Sequence, residues 1–129
     1  MTEKEELHNE HYYDKERNMP TEKALRYNTG KSQWSLVDFE SLKDMVEVLE
    51  FGANKYEAHN WKKGHYTTKL CESLMRHLFA FLGGEDVDPE SGCSHIGHIQ
   101  CNAMFLAHSM KHHSHLDDRY KENNNQKNK

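Results

Sequence analysis

Between Glu47 and Asn102 the chain gathers carboxylates, amides and imidazoles at spacings that place them on shared helical faces. Glu47 and Glu50 form an E-x-x-E pair, and residues three apart are neighbours on a helix surface. Such a pair can hold a hard divalent cation such as Mg²⁺ or Mn²⁺. His95, His98 and Asn102 follow at i, i+3 and i+7, beside the apolar positions Ile99, Leu106 and Met110. A polar stripe at the edge of a core destabilises a helix unless its groups find partners: a metal, a phosphate or other side chains. Glu85 and Asp88 form an E-x-x-D pair inside the acid-rich stretch G-G-E-D-V-D-P-E-S-G, whose oxygen spacing excludes a standard EF-hand loop. Acids and imidazoles in this order suit metal-dependent chemistry on a phosphate ester.

A second set of residues suits an anion and a ring. Lys55, Tyr56, Asn60, Trp61 and Lys62 supply cations, an amide and two aromatics within eight positions. They can pair with phosphate charge and stack on a base, although a helix end plugged by aromatics needs no ligand. Arg76 precedes His77. The first is placed to reach a phosphate, while the second follows the line of Leu70, Leu74 and Phe81 toward the interior. Lys31, after the N-T-G turn, is a weaker phosphate candidate because the G-x-x-x-x-G-K pattern is missing. His108, His112, His113 and His115 crowd a polar helix end and read as surface groups.

These side chains need three helices to hold them. Leu42, Met45, Val46, Leu49 and Ala53 recur at three- and four-residue steps and predict a helix over about 38–56, capped by Asp38. A second is predicted over 68–82, capped by Thr67 or Thr68 and stopped at Gly83-Gly84. The third is predicted over 94–113. No stretch alternates long enough to predict a strand. The expected fold is therefore all-α: a small helical bundle with an irregular N-terminal arm. Residues 1–24 form the arm, 25–116 the folded domain and 117–129 a disordered tail. The 129 residues are 35% hydrophobic, which leaves three short helices too few apolar groups to close a core alone. Oligomerisation, as a homodimer or homotetramer, is the expected remedy.

Composition narrows the function classes. A net charge of -4 gives no basic field for duplex nucleic acid. No apolar run approaches membrane length, so no membrane partner is expected. Three cysteines without a C-x-x-C pair argue against a zinc knuckle or disulfide framework, and a reducing cytoplasm is the expected compartment.

Taken in order, G-K-S-Q-W-S-L, E-V-L-E-F-G-A-N-K-Y, N-W, S-L-M-R-H-L, G-G-E-D-V-D-P-E-S-G and H-I-G-H-I-Q-C-N-A-M-F-L resemble the phage dATP/dGTP diphosphohydrolase family, grouped with MazG-like all-α nucleotide pyrophosphohydrolases. The likeness runs over about residues 25 to 110. It implies hydrolysis of a purine (deoxy)nucleoside triphosphate to monophosphate and pyrophosphate, dependent on Mg²⁺ or Mn²⁺, in a phage protein of the host cytoplasm. In MazG-like enzymes an E-x-x-E on one helix faces an E-x-x-D on the next. Glu47 and Glu50 match the first element. Glu85 and Asp88 match the second literally, whereas His95 and His98 occupy the more helical position with imidazoles in place of acids. Taken with the reading of the residues themselves, this gives Glu47, Glu50, His77 and Asp88 as the expected catalytic residues. The implied metal ligands come from Glu47, Glu50, Glu85, Asp88, His95 and His98. Substrate contacts are implied for Lys31, Lys55, Tyr56, Asn60, Trp61, Lys62, Arg76 and Asn102. The rival is a non-catalytic nucleotide binder that sequesters a host signalling nucleotide in the same pocket.

Overall fold

The computed structural model describes residues 24–122. The chain divides into two compact units, Met1–Val37 and Asp38–Lys129. Most of the expected arm, with Leu7, Tyr12, Tyr13 and Pro20, lies outside the described residues. In the described part of the first unit, the Lys31 N–H donates to the Asn28 carbonyl at 3.0 Å, and a 3-10 turn covers Trp34–Leu36.

The second unit is helical. A 3-10 turn at Phe39–Leu42 leads into α1 (Lys43–Lys55), another at Asn60–Lys63 precedes α2 (Thr67–Leu82), and α3 (His95–His112) is followed by a last turn at Ser114–Leu116. Among the described residues the extended pairing is one isolated bridge, Val87 with Ser94. The all-α expectation holds.

Helix ends explain where the elements start and stop. Asp38 does not cap α1 through a backbone N–H. Its carboxylate accepts the Ser41 hydroxyl, and the 3-10 turn lies between it and the helix. Nor do Thr67 and Thr68 cap α2. The N-cap is Tyr66, which offers no side-chain acceptor there. The acceptor comes from fifty residues downstream, where the Asp118 carboxylate takes the Thr68 N–H at 2.8 Å and its hydroxyl at 2.6 Å. Sequence spacing cannot show a cap supplied through space. Residues beyond Leu116 thus stay fastened to the bundle as far as Asp118. The predicted stop of α2 is observed: the Gly83 N–H donates to Phe79 and the Gly84 N–H to Phe81, with Gly84 at φ 97°, a left-handed conformation that suits glycine. Ser94 caps α3, its hydroxyl accepting from the Ile96 and Gly97 N–H groups at 3.0 and 3.3 Å.

The core is small, as the composition implies. Val48, Cys93 and Cys101 are buried and pack with Met45, Leu49, Phe51 and Phe105. The Cys101 thiol donates to the Met45 carbonyl at 3.3 Å, and burial pushes its pKa up to about 12, so it behaves as a packing group rather than a nucleophile. Met75, Leu78, Phe79 and Leu82 on α2 remain exposed.

Gly97 is where α1 and α3 come closest. A Cβ there would sit 2.5 Å from the Asp44 carbonyl oxygen, and that neighbour is backbone. Gly97→Ala therefore forces the helices apart, and overpacking of this kind destabilises by about 1–3 kcal/mol. Urea unfolding followed by circular dichroism should show the midpoint fall. An unchanged midpoint would mean that the helices separate freely.

Candidate functional site

A cleft of about 1290 Å³ opens within the second unit. It is lined by all three helices, the 56–62 segment and the loop that carries Glu85, Asp88 and Glu90. The loop is folded onto the start of α3: the Asp88 N–H donates to the Cys93 carbonyl at 2.8 Å and the His95 N–H to the Asp86 carbonyl at 3.0 Å. This bracing brings a loop carboxylate beside imidazoles from two helices.

His77 from α2, His95 from the first turn of α3 and Asp88 from the loop form the centre. One ligand atom from each lies within 4.8 Å of the others. The Nδ1 atoms of His77 and His95 are 2.9 Å apart. His95 is 2% exposed, and its Nε2 meets the Glu85 carboxylate at 2.7 Å. Asp88 is held by Ser91, whose N–H and hydroxyl both donate to Oδ2, at 3.0 and 2.8 Å. The Ser91 oxygen also meets His98 Nε2 at 2.7 Å. The His77 and His98 rings stack at 4.1 Å with planes 2° apart. Asn102 donates to the His98 carbonyl and to the Ser73 hydroxyl, tying α3 to α2 beneath the centre.

These contacts order the ring protons. With the Glu85 carboxylate accepting the Nε2–H of His95, the Nδ1 of His95 faces His77 as an acceptor and His77 donates from its own Nδ1. Burial holds the pKa of His77 below the usual histidine value, aided by the nearby His98, and burial does the same to His98 against the opposing pull of Asp88. Burial pushes the Asp88 carboxyl up, but the Ser91 hydrogen bonds and His98 outweigh it and hold the group low and ionised. An ionised Asp88 thus stands beside two imidazoles, His77 and His98, that resist protonation.

A pH dependence follows. His77 and His98 resist protonation when folded, whereas the unfolded chain takes up those protons near the ordinary histidine value of 6.5. Below that value the unfolded state binds more protons, so stability is complete above about pH 6.5 and falls as the pH drops toward 5. Thermal unfolding in chelator-containing buffers checks this: the melting temperature should decline across that window, and a rise on acidification would contradict it.

The structure sorts the expected site residues. His77 joins Asp88 and His95, whereas Glu85 and His98 stand one contact further out. Glu50 lines the cleft, and Glu47 is exposed and is not among the lining residues. Lys55, Tyr56, Asn60, Trp61, Lys62 and Arg76 all line it. Trp61 stacks on Phe105 with ring centres 4.8 Å apart, and Lys62 lies 5.6 Å from the Trp61 ring centre. Asn102 lines the cleft too, but its amide nitrogen is engaged within the protein. Lys31 belongs to the first unit and is exposed. Sequence reasoning missed Ser91 and Phe105. The first sits three residues after Asp88, the spacing of a side-chain-closed turn, and the second is seven after His98 on the same helical face.

Among the cleft carboxylates, Glu85 is engaged by His95, Asp88 by Ser91, Glu90 by Lys55 at 3.2 Å and Glu57 by Lys63. Among the described residues, Glu50 has no such partner. Of the cleft cations, Lys55 pairs with Glu90 and Lys69 with Glu72, while Arg76 has no ion pair among the described residues. The cleft thus offers one unpaired carboxylate and one unpaired guanidinium.

Residues 21–119 match the family model described as dATP/dGTP diphosphohydrolase, N-terminal. The chain is 28% identical over 96 residues to the dATP/dGTP diphosphohydrolase of Salmonella phage PMBT28. That match covers 74% of this chain and 33% of the relative, so the chain spans about a third of the relative's length. No solved structure matches the chain. No helix among the described residues is long and apolar enough to cross a membrane.

Proposed function

The chain belongs to the dATP/dGTP diphosphohydrolase family, and from that premise we propose that its cleft hydrolyses purine deoxynucleoside triphosphates to monophosphate and pyrophosphate with the help of a divalent ion. One observation carries the reading: a metal-capable His77–Asp88–His95 group shares a cleft with an unpaired guanidinium and an unpaired carboxylate. The donor set fits a cation, since Asp88 is held ionised and His77 resists protonation, which keeps a ring lone pair available. His77, Asp88 and His95 would hold the ion. When bound, it supplies positive charge opposite the phosphate oxygens and makes water more acidic.

The chain's own residues do the rest. Arg76, one position from His77, presents a planar two-pronged donor to phosphate oxygens and neutralises charge that builds on departing pyrophosphate. Lys55 joins it once the phosphates outcompete Glu90 for the exposed ammonium. Glu50 accepts the proton of the attacking water. Water oxygen bonds to the α-phosphorus, the bond from that phosphorus to the α,β-bridging oxygen breaks, and pyrophosphate leaves with the electron pair. Trp61, already stacked on Phe105, offers an aromatic surface for the purine, with Tyr56 and Asn60 on the same side of the chain.

The test is a panel of deoxynucleoside triphosphates with Mg²⁺ or Mn²⁺, products read by ³¹P NMR. Pyrophosphate with dATP or dGTP is expected. Release of tripolyphosphate or orthophosphate would replace this reaction with another. Saturable binding without any product would convert the reading to a sequestering protein.

A further inference from the structure

We propose that His77, Asp88 and His95 form a site for a first-row transition-metal ion in preference to Mg²⁺, with Glu85 as the outer carboxylate that aims His95 at the ion. The proposal concerns the cleft of the preceding reading and names the class of ion that the reading leaves open.

Three geometric features carry it. The first is the 2.9 Å separation of the two Nδ1 atoms. Two nitrogens about 2.1 Å from one ion at a right angle lie about 3 Å apart, so the pair is already spaced as adjacent ligands. The second is the state of the Asp88 carboxylate. Both Ser91 hydrogen bonds fall on Oδ2, and the closest approach of His98 is to that same atom, at 3.6 Å. Oδ1 takes none of these contacts and can serve as the ligand atom while Oδ2 anchors the group. The third is Glu85. A metal-ligating imidazole characteristically donates its other N–H to a carboxylate, which fixes its tautomer and raises its basicity. Glu85 does this to His95 at 2.7 Å, and it leaves the His95 Nδ1 lone pair facing the centre.

The ion class follows from the donors. Mg²⁺ demands oxygen ligands and keeps its water shell, whereas two imidazoles and one carboxylate suit Mn²⁺, Fe²⁺, Co²⁺ or Zn²⁺. Loading the site displaces the His77–His95 hydrogen bond, so His77 moves its ring proton from Nδ1 to Nε2 and the pair stays neutral. The Glu47/Glu50 pair, a purely oxygen site, is not part of this group.

Chelator-stripped protein titrated with Co²⁺ tests the proposal through visible d–d absorption, independent of turnover. The His112→Ala background removes the tightest imidazole pair at the far end of α3, His108 with His112, whose ring centres are 4.5 Å apart. One Co²⁺ per chain is expected, displaced by Zn²⁺ but not by a large excess of Mg²⁺. Asp88→Asn, which keeps shape, and His77→Asn, which removes the ring, should each abolish the band while circular dichroism stays helical. Glu85→Gln should weaken binding by about 10–100-fold, and Glu47→Gln should leave it unchanged. Nitrogen hyperfine coupling in the Mn²⁺ EPR signal would confirm imidazole ligation directly. Equal displacement by Mg²⁺, or Co²⁺ binding indifferent to His77→Asn and Asp88→Asn, overturns the proposal. Pyrophosphate release sustained by Mg²⁺ with no Co²⁺ at these histidines sinks this proposal alone. Co²⁺ at the histidines with no turnover of any nucleotide sinks only the hydrolytic reading.

Discussion

Glu50→Gln is expected to lower the proposed pyrophosphate release by about 10²–10⁴-fold, the usual contribution of a positioned general base. The substitution keeps shape and removes only the ability to take a proton. Substrate binding should therefore change little, and the loss should fall on kcat. Glu85, Asp88, Glu90 and Glu57 each have a partner within the protein, whereas Glu50 lines the same cleft without one among the described residues. Glu47→Gln is the matched control, one turn away on α1 but absent from the cleft lining. Equal losses from both variants would mean that the E-x-x-E pair acts together, as the sequence resemblance implies, and that a rearranged α1 rather than this one does the chemistry.

Arg76→Ala should lower kcat by about 10²–10³-fold, as loss of one charged donor to a developing anion does. Arg76 is exposed and has no ion pair to break among the described residues, so its removal should leave the thermal stability of the fold unchanged. Arg76→Lys should recover only part of the loss, because an ammonium lacks the planar fork that grips two phosphate oxygens at once. Single-turnover rates with dATP and dGTP decide the matter. A variant that raises KM and spares kcat would assign Arg76 to ground-state binding instead.

Much of this fold is legible in the chain. Leu42, Met45 and Leu49 announce α1, and Gly83-Gly84 ends α2 where a left-handed residue is needed. Ser94 starts α3 through a hydrogen bond that spans two or three residues. Each of these signals is local, and a sequence displays local signals directly. The cap that Asp118 lends to Thr68 is different. It closes a fifty-residue loop, and no spacing rule reports it.

The candidate site divides along the same line. Residue types and spacing set which chemistries are on offer: imidazoles and an amide on one face of α3, acids in the loop before it, and a cation beside a histidine on α2. Which of them meet depends on how the helices pack. His77 reads as an inward-facing residue of α2, and it becomes a partner of His95 because α2 and α3 pack side by side and the loop between them folds back, bringing Asp88 to both. Glu47 and Glu50 are both exposed, yet only Glu50 lines the cleft. The physical reason is range: periodicity and capping act within a few residues, whereas the meeting of ligand atoms depends on how helices cross, which is set by core contacts such as Gly97 against Asp44.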